Sequence, residues 1–368
     1  MRILSFVLLS CFTASVAAQQ YEDYQLRLEP VWARVADALG EYGSVESAEF
    51  SPDGKHIVSG TKYDNSVILW RTSDGTELWR AYTAQEIERV AFSGDNAYVA
   101  TASEDYLVTV FAAATGEKVK ELKHKNGIDG LIWSNTGLTL VSGEEETDDA
   151  DGSKHGYIRV FSLPAGEETH TLDFEETVQE LFFSTDDKYL IATGHGSVKV
   201  YETADYTQIA NFTPEPYGHF VSGGFSPDAK SIIAADNAGK VYLWDWQDDP
   251  RAERVKTFNH LGRKIETIAW HPRGGYVAFT GHSPYIFVYR LSDIRQYEND
   301  RIRIAHKVWA GDHAEYIDFN RDGSFLVSAH QNGLIKLWAW MGEEPDLNQR
   351  LHSGVKAKQD AAMEGGRR

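Results

Sequence analysis

The chain has 368 residues, of which 42% are hydrophobic, and its formal net charge is −19. This composition provides enough apolar side chains for a large core. The excess of negative charge repels phosphate backbones, which argues against nucleic acid as a partner and favours cations or basic partners.

The first 18 residues are typical of a secretory signal peptide. Arg2 precedes the apolar residues 3–12, and small residues at Val16 and Ala18 fit a signal peptidase site that would leave Gln19 as the N-terminus. No later segment reaches the roughly 18 apolar residues of a membrane span, so no transmembrane helix is expected. These features predict an exported protein, either periplasmic or extracellular.

The single cysteine, Cys11, lies within this signal. Cleavage after Ala18 would leave a mature chain without disulfides, whose stability depends on its core. A second interpretation stays open, because residues 8–11, Leu-Leu-Ser-Cys, resemble a bacterial lipobox that would make Cys11 a lipid anchor.

A motif of an apolar residue, an aromatic residue and a polar turn recurs seven times, at intervals of 41 to 50 residues. Its aromatic anchors are Phe50, Phe92, Trp133, Phe183, Phe225, Trp270 and Phe319. Each anchor is followed by an alternating apolar run that ends in a second aromatic residue, at Trp70, Phe111, Phe161, Tyr201, Trp244, Tyr289 and Trp338. The period of two indicates strands, and four short strands in roughly 40–45 residues make a propeller blade.

The segments FSPDGKHIVSG, FSGDNAYVATASEDYLVTVF and VYLWD resemble WD40 repeats. The resemblance implies an all-β fold, a single seven-bladed β-propeller of four-stranded antiparallel blades over residues 34–353. A lead segment, residues 19–33, would precede it. Residues 354–368 lack apolar side chains and are expected to be disordered.

The chain departs from the family's pattern of four hydrogen-bonded residues per blade. His124 stands where the family has its histidine, and Asp64 and Asp105 occupy the turn position. Ala238 and Asn332 replace that aspartate in blades five and seven. We therefore expect packing to replace these hydrogen bonds.

Ring closure has two interpretations. Residues 34–39 fit an outer strand that the N-terminus donates to the last blade, and we favour this closure because it hides an edge strand. Alternatively, the last blade uses its own segment after Trp338, which parallels the corresponding part of blade five.

Aligning the blades on the second strand predicts a ring of equivalent positions at one face, where the family usually binds partners. The seven positions are Thr61, Ser103, Glu144, His195, Asp236, His282 and His330. The predicted partner-binding residues are Glu144, His195, Asp236, His282 and His330.

Three of these residues, Asp236, His282 and His330, come from consecutive blades, and two histidines with one carboxylate are a known divalent-metal set. The competing interpretation is that each side chain caps its own turn. A shortened turn makes His195 a substitute for the family's turn aspartate, and His155 falls at the same position.

The acidic insertion at residues 144–156 is a second candidate site. Thr147, Asp149 and Asp151 have the spacing of the first half of a calcium loop, although Ile158 replaces the closing glutamate. The alternative is a solvated acidic loop. Another insertion, residues 291–306 with Arg295, Arg301 and Arg303, is predicted as a docking loop on the opposite face.

No phosphate loop, nucleophile elbow or zinc-protease motif is present, and no catalytic residue is predicted. The leading hypothesis is an exported scaffold that binds a protein partner through its turn-rich face. One alternative is a metal-dependent propeller enzyme using Asp236, His282 and His330. The other is an envelope assembly factor anchored through Cys11. The cofactor that these two sites would take is a divalent metal or calcium.

Overall fold

The computed structural model describes residues 26–148, 154–213, 218–247, 256–259, 263–297 and 302–341. The chain divides into two units. Residues 30–339 hold the propeller, and a second unit combines residues 1–29 with 340–368, of which 26–29 and 340–341 are described. The predicted signal, Cys11 and the C-terminal tail lie outside the described residues. Within those ranges no helix has the length and apolarity to cross a membrane.

Seven four-stranded antiparallel sheets form the seven predicted blades, and the all-β prediction is confirmed. Blade seven contains the first strand, β1 (Arg27–Val35), which a single 3-10 turn (Gly40–Tyr42) separates from blade one. Blade one is β2 (Val45–Phe50), β3 (His56–Thr61), β4 (Ser66–Arg71) and β5 (Glu77–Tyr82). Blade two is β6 (Ile87–Phe92), β7 (Tyr98–Ser103), β8 (Leu107–Ala112) and β9 (Lys118–Lys123).

Blade three is interrupted by a short hairpin of two strands. Its strands are β10 (Ile128–Trp133), β11 (Thr139–Glu144), the hairpin β12 (Thr147–Asp148) and β13 (Lys154–His155), then β14 (Tyr157–Ser162) and β15 (Glu167–Asp173). Blade four is β16 (Val178–Phe183), β17 (Tyr189–Gly194), β18 (Val198–Glu202) and β19 (Thr207–Phe212). Blade five is β20 (Phe220–Phe225), β21 (Ile232–Asp236), β22 (Lys240–Trp244) and β23 (Lys256–Asn259).

The last two blades complete the ring. Blade six is β24 (Ile265–Trp270), β25 (Tyr276–Gly281), β26 (Tyr285–Arg290), the helix α1 (Leu291–Gln296) and β27 (Ile304–Trp309). Blade seven is β28 (Ala314–Phe319), β29 (Phe325–His330) and β30 (Leu334–Met341), with β1 as its outer strand. The innermost strands are β2, β6, β10, β16, β20, β24 and β28. Each packs against the innermost strands of both neighbouring blades, so the seven surround a central channel.

Each predicted anchor is the last residue of an innermost strand, and each second aromatic lies in a third strand, as the alternation predicted. Apolar side chains of adjacent blades pack face to face between the sheets. Phe50 and Trp70 of blade one, for example, lie in one buried cluster with Val327 and Leu337 of blade seven. Burial of these clusters is the main stabilising contribution to the ring.

The N-terminal strand closes the ring, as favoured from the sequence, but it spans residues 27–35 rather than the predicted 34–39. Trp32 is buried against blade one and donates its indole N–H to the carbonyl of Thr72 at 2.8 Å. The strand ends at Val35 because the chain then turns toward blade one around Asp37. This buried carboxylate accepts the amides of Leu39, Ser44 and Tyr63 at 2.9–3.2 Å.

Fragments of the family's hydrogen-bonded set persist, so packing does not replace them all. The indole of Trp70 donates to Ser59 Oγ at 2.9 Å in blade one, and Trp338 donates to Ser328 Oγ at 2.8 Å in blade seven. In blade three, His124 Nε2 lies 2.6 Å from Ser142 Oγ.

The insertion in blade six contains α1, so its first part is a helix and not the predicted loop. Arg295 reaches back to blade five and donates to both oxygens of Asp245 at 2.6 and 2.7 Å, and to Ser231 at 2.8 Å. A bidentate arginine–carboxylate pair fixes geometry as well as adding energy, so Arg295 joins two blades. Arg303 is exposed, and Arg301 lies outside the described residues.

Candidate binding site at the channel mouth

Every innermost strand carries a β-bulge at its second residue. The register with the second strand shifts between the first and third residues of β2, β6, β10, β16, β20, β24 and β28. A bulged residue is left out of the ladder, and bulges commonly re-aim a side chain next to a functional site. The seven bulged residues are Glu46, Glu88, Asp129, Gln179, Val221, Glu266 and Glu315. We call them the mouth ring.

All seven side chains of the mouth ring line one cavity of about 260 Å³ at the end of the central channel, together with Arg89 and Lys264. Five of the seven are carboxylic acids. Two of the carboxylates lie within 4 Å of a lysine Nζ among the described residues. Lys264 Nζ lies 2.8 Å from Glu266, and Lys62 Nζ lies 3.8 Å from Glu88. Asp129 instead accepts a hydrogen bond from the amide of Gln179 at 2.8 Å.

The partly desolvated mouth disfavours ionised carboxylates. Desolvation, reinforced by Glu145, Glu88 and Glu104, raises the pKa of Asp129 to about 8. Desolvation also raises the pKa of Glu88 to about 7, although Lys62 opposes the shift. The pKa of Glu315 rises to about 7, through desolvation and then repulsion by neighbouring glutamates. These acids therefore exchange protons near neutral pH, which ordinary surface carboxylates do not.

Arg89 lies at the base of the cavity and crosses the channel. Its Nη2 lies 3.7 Å from the buried Glu180 of blade four, and its guanidinium lies 4.7 Å from the ring centre of Tyr316 in blade seven. Its Nε donates to the carbonyl of Asp129 at 3.4 Å. Blades two, three, four and seven thus contribute to one cross-channel contact below the mouth ring.

A second ring surrounds the first, formed by the residue directly after each second strand. Its members are Lys62, Glu104, Glu145, His195, Asn237, His282 and Gln331. In six blades the amide of this residue donates to the carbonyl of the residue just before the innermost strand, at 2.9–3.2 Å. We call these seven residues the outer ring.

The outer ring differs chemically from blade to blade. Blades two and three contribute Glu104 and Glu145, whereas His195 and His282 of blades four and six each stack against a second histidine outside the ring. The ring centres of His195 and His219 lie 4.6 Å apart, and those of His282 and His313 lie 5.2 Å apart. Each pair joins a turn of one blade to the next blade, so the histidines contribute to contacts between blades.

The predicted ring of seven equivalent residues is wrong in blades four and six. In those blades Gly194 and Gly281 occupy the last position of the second strand, where the other blades have residues such as Asp236. His195 and His282 therefore lie one position later, in the outer ring. The alignment slipped because Thr193 and Thr280 each lie one residue beyond the position of Ser328 in blade seven.

The other three predicted partner-binding residues, Glu144, Asp236 and His330, are buried and bonded within their own blades. Arg159 Nε donates to the carboxylate of Glu144 at 2.7 Å. Asp236 caps its own turn by accepting the amides of Ala238 and Lys240 at 3.0 and 2.9 Å. The hydrogen bonds of such a carboxylate are already made within its own blade.

His330 is fully buried and its Nε2 lies 2.7 Å from Ser328 Oγ. Burial, with a contribution from Lys336, lowers the pKa of His330 to about 3. The hydroxyl of Ser328 accepts the indole N–H of Trp338, so it donates its own proton to the neutral imidazole. His330 thus belongs to a structural network rather than to an accessible ligand set.

The structure does not bring Asp236, His282 and His330 together as a metal set. His282 Nε2 instead lies 3.0 Å from the carboxylate of Glu266. Among the described residues, one group of three metal-ligating side chains has its ligand atoms within 4.8 Å of one another, and it consists of Glu104, Asp129 and Glu145.

The structure describes only part of the predicted calcium loop. Asp149 and Asp151 lie outside the described residues, and Thr147 pairs with His155 in the short hairpin. The nearby His155 lies two residues before β14, as Asp64 and Asp105 lie two residues before the third strands of their blades, and its Nδ1 lies 2.9 Å from Asp173.

The mouth ring was missed from the sequence although a signal was present. Its members all lie four residues before the aromatic anchors, at a position occupied by Glu, Glu, Asp, Gln, Val, Glu and Glu in successive blades. Aligning the blades on the first strand instead of the second would have shown this column of acids.

Comparison with known proteins is consistent with the architecture. The model of the WD domain, G-beta repeat, matches residues 38–71 and 305–339. The first segment covers the inner three strands of blade one, and the second covers the outer strand of blade six and most of blade seven.

Curated relatives are distant. Serine-threonine kinase receptor-associated protein of Homo sapiens is 21% identical over 238 residues, which is 64% of this chain and 63% of that protein. Eukaryotic translation initiation factor 3 subunit I of Schizosaccharomyces pombe is 24% identical over 285 residues, 70% of this chain and 83% of that protein. The same subunit of Aspergillus terreus is 21% identical over 296 residues. This chain thus spans less than two thirds of the length of the receptor-associated relative.

The raised pKa of Asp129 gives a direct test of the mouth's electrostatics. Above pH 4 the unfolded state ionises this group while the folded state keeps it protonated up to about pH 8, so its contribution to the free energy of unfolding falls with rising pH. Asp129→Asn should therefore be more stable than wild type at pH 8.5, by about 2 kcal/mol or more, with a smaller difference at pH 5.

Urea unfolding at the two pH values measures this difference. Glu202→Gln, at an exposed residue on the opposite end of blade four, is the control and should change neither value. Equal stability of Asp129→Asn and wild type at pH 8.5 would contradict the assignment.

Proposed function

This chain is a divergent WD40-repeat propeller, and from that premise we propose that it is a protein-binding scaffold that holds its partner at the channel mouth. The mouth ring is the observation that carries the proposal. Seven side chains are directed by bulges into one open cavity, and five of them are acids.

The energetics of these acids support a binding role. Asp236 is stabilised by amides of its own turn, whereas no described backbone amide donates to Glu88 or Asp129, and desolvation raises the pKa of both. Buried charge that the fold does not compensate costs stability. A partner that supplies positive charge would recover this cost on binding.

The names of the relatives support the same class of function. One relative is named for its association with a receptor, and the other is named as a subunit of a larger factor. Binding to other proteins is common to both names, and it is this class of activity that we extend to the present chain.

We also propose that residues 1–18 direct export and that the mature protein begins at Gln19. Arg2, the apolar residues 3–12 and the small residues at Val16 and Ala18 support this proposal. Intact-mass analysis of the protein purified from its own host should give a chain that starts at Gln19. A chain that retains Met1 would contradict export, and an acylated chain that starts at Cys11 would establish the lipid anchor instead.

The scaffold proposal is tested by crosslinking in the native host followed by mass spectrometry. The mouth variant Glu46→Gln/Glu88→Gln/Glu315→Gln removes three acids from the cavity. The control Glu117→Gln/Glu167→Gln/Glu202→Gln removes the same number of carboxyl groups from exposed positions in or beside the turns between third and outer strands, at the opposite end of the blades.

We expect at least one protein to be recovered with wild type and with the control, and to fall at least fivefold with the mouth variant. The physical reason is that the cavity acids lie at the contact, whereas the control acids change only the overall charge. Equal recovery with both variants would contradict the mouth as the binding surface.

A further inference from the structure

A second cleft, of about 400 Å³, adjoins the mouth cavity at the junction of blades six, seven and one. The two spaces share four lining residues, Glu46, Lys264, Glu266 and Glu315. A partner that enters the mouth therefore also meets this cleft, which we call the seam cleft.

Two exposed aromatic side chains form part of the wall of the seam cleft. Tyr42 is 78% exposed and Tyr63 is 56% exposed, and both line the cleft beside its carboxylates. An aromatic ring attracts a cation over its face, and exposed tyrosines lose little conformational freedom when a partner covers them. The wall thus combines two features that favour a flat cationic group.

A hydroxyl without a partner lies in the same wall. Ser44 is 4% exposed, and its Oγ makes no hydrogen bond with any described residue. It lines the seam cleft between Tyr42 and Glu46 in the chain. A buried hydroxyl without a hydrogen bond is unfavourable, so a ligand that donates an N–H to Ser44 would remove this cost.

The charge of the cleft also favours a cation. Its four carboxylates are Glu41, Glu46, Glu266 and Glu315. Two lysines line the same cleft. Lys264 pairs with Glu266 at 2.8 Å, and Lys62 lies 3.5 Å from Glu86, a residue that is not part of the lining. In the described part of the chain, no lysine or arginine nitrogen lies within 4 Å of the Glu46 or Glu315 carboxylate, although Lys62 attracts Glu46 and Lys264 attracts Glu315 at longer range.

We propose that the seam cleft receives an arginine side chain of the protein partner. This rests on the proposed function, because it specifies what the scaffold recognises. A guanidinium presents five donors in a plane, so it can stack against Tyr63 while it donates to the Glu46 and Glu315 carboxylates and to Ser44. An ammonium is a point charge that cannot stack in the same way. The acidic wall disfavours an anionic segment.

The probe is a fluorescein-labelled peptide, Ala-Arg-Ala-Ala-Arg-Ala, titrated with the full mature protein and followed by anisotropy. The same peptide with citrulline in place of arginine keeps the shape and removes the charge. We expect the arginine peptide to bind at least tenfold more tightly than the citrulline peptide, and more tightly than a lysine peptide. If the citrulline peptide or the lysine peptide bound as tightly as the arginine peptide, the proposal would be overturned.

Variants then locate the site. Glu46→Gln/Glu315→Gln should weaken arginine-peptide binding at least tenfold, Tyr63→Ala about fivefold, and Ser44→Ala about threefold. Tyr63→Phe keeps the ring and should bind like wild type, which separates stacking from a general effect of mutation. The matched control, Glu117→Gln/Glu202→Gln, should retain wild-type affinity. Equal weakening by this control would show non-specific attraction and overturn the proposal.

The two proposals fail separately. A partner whose recovery depends on the mouth, combined with no preference for the arginine peptide, would overturn the arginine site and leave the scaffold in place. Specific arginine binding with no mouth-dependent partner would contradict the scaffold proposal and leave the arginine site in place.

Discussion

The β-bulge at the second residue of each innermost strand is the constraint on which the mouth depends. In a regular antiparallel strand this residue would pair in the ladder and its side chain would follow the alternation of the sheet. The bulge takes it out of the ladder and turns it toward the channel. Because seven blades carry the bulge at one register, seven side chains converge at one end of the ring.

This convergence brings carboxyl groups close together, and nearby positive charges of the chain compensate them only in part. Lys62, Lys264 and Arg89 supply positive charge within or below the mouth, yet Asp129 and Glu315 keep pKa values of about 8 and 7, chiefly because they are desolvated. The apolar clusters between blades provide the stability against which this cost is set. Desolvated acids of this kind cost stability, which is a common compromise at functional surfaces.

The buried polar groups divide into two classes by what holds them. Asp236, Glu144 and His330 are bonded within their own blades and define turns or strands. The acids of the mouth ring and the seam cleft face open space. This difference, rather than residue type, is the reason why we propose the channel mouth, and not the predicted ring, as the binding site.

Much of the fold was predictable because its signals are local and repeated. The aromatic anchors and the alternating runs that end at residues such as Trp70 and Trp338 identify the strands and their number. Closure by the N-terminal strand followed from the need to hide an edge, although its bounds did not. The capping role of Asp37, which ends β1, depends on amides as far away as Tyr63.

The site was less predictable for two physical reasons. A bulge changes the direction of a side chain without requiring a particular residue, so Glu46 and Val221 can occupy the same position. In addition, a slip of one residue at Thr193 or Thr280 moves a histidine into a different ring. The contact of Arg89 with Glu180 joins blades two and four across the channel, and no local sequence pattern predicts it.

The central claim is that the mouth holds carboxyl groups partly protonated at neutral pH until a cation arrives. Glu315, which faces Glu46, Glu266, Lys264 and Gln331, is half protonated near pH 7. Calorimetric titration with the arginine peptide, in buffers of different ionisation enthalpy, counts the protons released on binding. Binding should release about half a proton per affected carboxyl at pH 7 and almost none at pH 9. A binding heat that does not depend on the buffer at pH 7 would contradict it.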